Sequence, residues 1–255
     1  MNYLEFTGER PVSYQYDPPP GVPKRSGVYR PYRVEIANAR VAPPPGAPWI
    51  DRNGFELHRH VSALTDFRDP EKIRSVYYPE SEELLRKATG ARRVVIFDHT
   101  LRDGDAGRAA GIREPVRYIH NDQTFVSGPR RVRDHLPPAE AEELLKGRVA
   151  IVNLWRPIGA LALCDARSIA LNDLVASDLV YPDKVGETYA LVFNPRHRWY
   201  YYPDMTPDEF LLIKIFDSAG DGVARVTAHT AFDDPTTPAD APPRRSIELR
   251  TLLFF

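Results

Sequence analysis

Proline sets the limits on this chain. It supplies 25 of the 255 residues, gathered in YDPPPGVPKR, ARVAPPPGAPWI, DHLPPAEAEE and DDPTTPADAPPRR. Each cluster lacks backbone donors that helices and ladders need, so regular structure must come in short elements between turns and ordered loops. The segments between clusters carry the matching signal. RRVVIFDHT, VRYIHNDQ, RVAIVNLWRP, TYALVFNP, RWYYYP, EFLLIKIFDS, VARVTAHTAF and SIELRTLLFF are short, rich in β-branched and aromatic residues, and bounded by turn residues. Two helices are expected, SEELLRKATG and PPAEAEELLKG, each opening after Ser or Pro with early acids and stopping at Gly; SIALNDLVASDL is a third candidate. Many short strands with few intervening helices argue against a parallel α/β fold. The expectation is an all-β-dominated chain, a double-stranded β-helix or jelly-roll barrel with flanking helices.

The first two proline clusters flank VYRPYRVEIANARV, whose alternation suggests a strand. Residues 1–48 read as a proline-rich arm hugging the surface, and 90–255 as the jelly-roll core of one domain spanning 1–255. No apolar run approaches the roughly 18 residues of a membrane span, and MNYLEFTGERPV lacks the basic and apolar stretches of a secretory signal. A cytoplasmic protein without membrane contact is expected. Cys164 is the single cysteine, so any metal must be held by histidine and carboxylate. The formal net charge is −1, with arginines scattered among acids, which gives nucleic acid no basic stripe. The expected partner is a small molecule; the sequence is silent on oligomeric state.

YIHNDQTFVSGP places His120 and Asp122 two positions apart, hence on one face of a strand, as an imidazole and an anionic oxygen donor. His229, in VTAHTAF late in the chain, supplies a second imidazole, because a jelly roll sets an early strand beside a penultimate one. Two histidines and one carboxylate leave three positions open on an octahedral ion, the pattern expected of non-haem Fe(II) that must take a chelating co-substrate and dioxygen. In the terminal segment RRSIELR, Arg244, Ser246, Glu248 and Arg250 alternate onto one face, and a guanidinium beside a hydroxyl suits the distal carboxylate of 2-oxoglutarate. His58 and His60 form a competing same-face pair, set aside in favour of His120 with Asp122. His99, His135 and His197 show no ligand pattern. Arg156 in NLWRPIG, Tyr118 beside His120, and Tyr202 (or Tyr200) in RWYYYP are candidate substrate contacts. The rival readings are a cupin-like metal-dependent hydrolase or isomerase, and a non-catalytic small-ligand-binding barrel.

YIHNDQT, NLWRPIG, LALCDARSI, WYYYPDM, KIFDS, AHTAFDDP and RRSIELR, in this order, resemble a family of non-haem iron, 2-oxoglutarate-dependent oxygenases. That family contains CmcJ of cephamycin methoxylation, fungal AsaB and the fungal gibberellin desaturase. NGFELHRH, VYYPE and TGARRVVIFDHTLR fit it too, so the likeness covers roughly residues 30–255. The resemblance implies an enzyme that uses Fe(II), 2-oxoglutarate and dioxygen to hydroxylate or desaturate a small natural product or its precursor. By carry-over His120, Asp122 and His229 would hold iron. Arg244 with Ser246 would anchor the co-substrate, with Arg250 as the rival anchor. The arm and the 233–243 loop are expected to cover the barrel mouth.

Overall fold

A computed structural model describes residues 1–46, 49–103, 116–158, 161–220, 222–232, 234–235, 238 and 245–255. In chain order the elements are β1 (Asn2–Glu5), β2 (Val12–Tyr14), β3 (Val28–Pro31), β4 (Ile36–Asn38), β5 (Phe55–Arg59), α1 (Pro70–Lys72), α2 (Tyr78–Thr89), β6 (Arg93–Asp103) and β7 (His120–Asn121). There follow α3 (Ser127–His135), α4 (Pro138–Leu144), β8 (Val149–Ile158), β9 (Leu161–Cys164), β10 (Leu174–Val180), β11 (Val185–Leu191), β12 (Trp199–Tyr201), β13 (Glu209–Asp217), β14 (His229–Ala231) and β15 (Arg245–Phe254).

The strands form a five-stranded sheet, β5-β13-β8-β15-β6, and an eight-stranded sheet, β2-β10-β11-β7-β14-β9-β12-β4; β1 and β3 pair separately. One core lies between the two sheets, where Ile151, Trp155, Leu211 and Leu252 meet Leu161, Leu163 and Tyr200. This is the jelly roll expected from the strand pattern. The five-stranded sheet is covered on its other face as well: Val152, Leu154, Leu212, Leu249 and Leu253 pack with Ile73, Tyr77 and Leu85. Burial on both faces explains why EFLLIKIFD reads as a continuous apolar run and every residue of β13 is buried.

The arm is part of the sheets. β2 pairs in parallel with β10 and β4 with β12, so short arm strands form both edges of the eight-stranded sheet and cover backbone groups of β10 and β12. The single strand expected over 28–41 is two, β3 against β1 and β4 against β12.

SIALNDLVASDL is not a helix. It makes two short 3-10 turns, Ala166–Ser168 and Leu171–Asp173, and then β10, all seven of whose residues pair with β11. Asp173 ends the turn by accepting from the Ala170 amide at 2.8 Å, and long-range pairing overrides the local leucine spacing. Conversely, SGPRRVRDH forms α3, where the proline falls in the first turn and lacks only a donor that would be unbonded there. Gly128 is required: a Cβ there would meet the Phe216 ring at 2.5 Å.

Candidate metal centre

β7 and β14 are antiparallel neighbours whose register sets His229 directly opposite His120. Cross-strand partners project to one face, and the two imidazole centroids end 4.6 Å apart, tilted by 55°. Each ring has Nδ1 tied to main chain, His120 to the Tyr118 carbonyl at 2.8 Å and His229 to the Thr227 carbonyl at 3.2 Å. A carbonyl only accepts, so in the neutral rings Nδ1 carries the proton and Nε2 presents a lone pair. Asp122 follows just past the end of β7 and puts Oδ1 3.6 Å from His120 Nε2. The ligand atoms of all three lie within 4.8 Å of one another, the one such group of His, Cys, Asp and Glu among the described residues. Burial, with His229 adding to it, draws the His120 imidazole down to about 4. At neutral pH the ring is therefore the uncharged donor that a metal takes.

Asp122 is anchored from the facing sheet. Asn153 of β8, fully buried, donates Nδ2 to Asp122 Oδ2 at 2.8 Å and to Glu248 Oε1 of β15 at 3.0 Å. Arg250 Nε lies 3.6 Å from the same Asp122 oxygen, and the guanidinium also takes Asp98 at 2.7 Å and Glu248 at 3.2 Å. Burial opposes the charge, but Arg250 first, then the two imidazoles and Asn153, hold the Asp122 carboxyl well below the usual carboxylate range. Oδ2 is thus engaged by the protein while Oδ1 faces the histidines. The turn itself is fixed by Asn121, whose Nδ2 donates to the carbonyls of Gln123 at 2.6 Å and Ile215 at 2.8 Å. Ile215 sits at the β13 bulge, where the ladder to β8 shifts register.

The three side chains open into a cavity of about 1180 Å³, which Tyr118, Trp155, Glu248 and Arg250 also line. Ser246 Oγ is buried with no hydrogen-bond partner among the described residues. Arg244 lies outside the described residues. Arg250 faces the cavity as the alternation requires, yet it is engaged by three carboxylates; its observed partners make it a support for Asp122.

Sequence reasoning missed Asn153 and Arg102. Arg102 of β6 is the cross-strand partner of Ser246, lines the cavity, and acts on His120 by lowering its pKa. The signal was present in FDHTLRD, where Asp98, Thr100 and Arg102 alternate as polar residues along a strand.

Two expected contacts fall elsewhere. Arg156 is turned by strand alternation to the outer face of β8, where Nε donates to Tyr77 Oη at 3.1 Å and Nη1 to the His60 and Pro207 carbonyls at 2.9 and 2.6 Å. It packs between Tyr77 and Phe210, away from the cavity. Tyr202 and Tyr200 are buried in the inter-sheet core and do not line the cavity. His58 stacks on Phe210 and lies 3.5 Å from Glu56, and neither it nor His60 belongs to a three-residue ligand group among the described residues. His99 bonds Tyr78 Oη at 2.7 Å and His197 bonds Asp173 at 3.1 Å, while His135 stacks on Phe97 at the cavity wall.

Two imidazoles and a carboxylate within a jelly roll make a donor set of the kind that suits non-haem iron. Comparison with known proteins agrees. A family model described as "Oxidoreductase/YMDC permease-like domain" matches residues 1–254. "Hydroxylase/desaturase efuI" of Hormonema carpetanum is 34% identical over 81% of this chain and 78% of its own length. "Alpha-ketoglutarate-dependent dioxygenase phiK" of a fungal species is also 34% identical, over 81% and 79%. A solved variant of the iron and alpha-ketoglutarate-dependent endoperoxidase NvfI superposes with a TM-score of 0.89 at 27% identity, covering 100% of this chain and 96% of that one. The chain belongs to this family of Fe(II)- and 2-oxoglutarate-dependent oxygenases, and is an oxidoreductase of small-molecule natural-product chemistry. Among the described residues no helix is long and apolar enough to cross a membrane.

Proposed function

We propose that His120, Asp122 and His229 are the iron ligands of this oxygenase. The observation that supports it is the convergence of two Nε2 lone pairs and one carboxylate oxygen, each braced from behind by main chain or by Asn153. Such donors leave up to three positions for co-substrate and dioxygen. When bound, Fe(II) with 2-oxoglutarate activates dioxygen to oxidise a C–H bond. The chain's own part is positional: β7 and β14 hold the imidazoles, while Asn153 and Arg250 keep Asp122 charged and oriented.

The distal carboxylate of 2-oxoglutarate is assigned to Arg102, which lines the cavity, and to its cross-strand partner Ser246, whose buried hydroxyl has no hydrogen-bond partner among the described residues; they offer a guanidinium fork and a hydroxyl. Tyr118 and the outer cavity are left for substrate, and whether hydroxylation or desaturation follows depends on where its carbon is held. We place the enzyme in the cytoplasm, consistent with its single, buried cysteine.

The test is dioxygen-dependent conversion of 2-oxoglutarate to succinate by the iron-loaded enzyme. Asp122→Ala is expected to abolish it, and Arg102→Gln and Ser246→Ala to raise the 2-oxoglutarate concentration required at least tenfold. Succinate formation that survives Asp122→Ala overturns the ligand assignment.

A further inference from the structure

The cavity exceeds the roughly 300–1,000 Å³ of an ordinary ligand pocket, so it holds more than a co-substrate. Its outer wall comes from the arm: Tyr14, Lys24, Arg25 and Tyr29 line it together with Tyr118 and Lys184. Within that wall Arg25 stands in an unusual position. Its guanidinium carbon lies 3.9 Å from the Tyr118 ring centroid and 5.9 Å from that of Tyr29, and these two rings are 4.5 Å apart at 55°. The stacking holds the guanidinium by its face and leaves the in-plane N–H donors at its edge.

Three other cations of the cavity have carboxylate partners. Arg131 pairs with Asp134 at 3.1 Å, Lys24 with Asp17 at 3.1 Å, and Arg250 with Asp98, Glu248 and Asp122. Among the described residues Arg25 has no carboxylate partner, and Lys184 has the Tyr181 ring, 5.5 Å away.

We infer that Arg25, braced on Tyr118 and Tyr29, binds a carboxylate of the substrate, so that the enzyme acts on a carboxylic acid. This rests on the function proposed above. Tyr118 stands two residues before His120 and connects Arg25 to the candidate metal ligands in one cavity, because its ring carries Arg25 while its carbonyl accepts from the His120 imidazole.

The experiment uses the full chain loaded with Fe(II), saturated with 2-oxoglutarate and kept anaerobic, with 2-naphthoate and its methyl ester as probes titrated by calorimetry. The wild type should bind the acid at least tenfold more tightly than the ester. Arg25→Gln should bring that ratio close to one, and Arg30→Gln, an exposed control paired with Glu5, should leave it unchanged. The visible chelate band of Fe(II) and 2-oxoglutarate must persist in Arg25→Gln; its loss in the wild type would instead count against the iron assignment. Equal affinity for acid and ester, no binding of either, an unchanged ratio in Arg25→Gln, or weakened 2-oxoglutarate binding in that variant would each overturn the inference.

Discussion

Asn153 carries a polar contact between the two sheets, and replacing it with leucine tests whether that contact serves the metal or merely the fold. The side chain is fully buried, and leucine keeps nearly its volume, so the cavity contribution is small. What disappears is a pair of hydrogen bonds to carboxylates, at 2.8 Å to Asp122 and 3.0 Å to Glu248. Bonds to charged groups contribute about 1.5–3 kcal/mol each, and burying leucine returns about 1.5–3 kcal/mol. A net loss of about 1–3 kcal/mol in the metal-free protein is therefore expected. Asp122 keeps Arg250, 3.6 Å away, and so stays charged but loses the partner that orients it. Supports of this kind change metal affinity by about 10–100-fold. Anaerobic titration with Co(II), read by its visible absorption, gives the affinity, and urea unfolding without metal gives the stability. If Asn153→Leu lowers stability as expected but binds Co(II) within twofold of the wild type, the positioning role is wrong and the residue is structural.

Further outcomes follow from the same geometry. Gly128→Ala places a Cβ against the Phe216 ring and should cost about 1–3 kcal/mol by overpacking, read as a lower urea midpoint; an unchanged midpoint would mean that α3 shifts freely. Arg40→Ala removes a two-point contact to buried Glu209, 3.0 and 2.7 Å, and should destabilise by about 1–3 kcal/mol, with faster proteolysis in the arm as the check. Burial pushes the Cys164 thiol up to about 12. At pH 8 it should resist iodoacetamide until the chain unfolds in urea, and rapid labelling of the native protein would contradict that.

Much of the fold was legible because its strands alternate or run apolar between proline clusters, and His120 with Asp122 was legible because strand spacing puts them on one face. What local sequence could not carry was register. His229 faces His120 through β14 pairing with β7, a contact across more than a hundred residues. Arg156 shows the converse: its chemistry invited a binding role, but one residue of strand phase separates it from inward-facing Trp155 and sends it to the outer face. Asn153 was invisible as an unremarkable polar residue in an apolar strand, although a buried amide there demands partners. SIALNDLVASDL misled because its leucine spacing suits a helix, while the strand from Leu174 to Val180 finds a seven-residue partner in β11.

The most direct measurement is an anaerobic titration of the purified chain with Fe(II) and 2-oxoglutarate, following the visible charge-transfer absorption of the chelate. One equivalent of iron should produce the band in the wild type, and His120→Ala, Asp122→Ala and His229→Ala should each abolish it while remaining folded by circular dichroism. A band of full intensity in any of those three variants, or none in the wild type, would contradict the account.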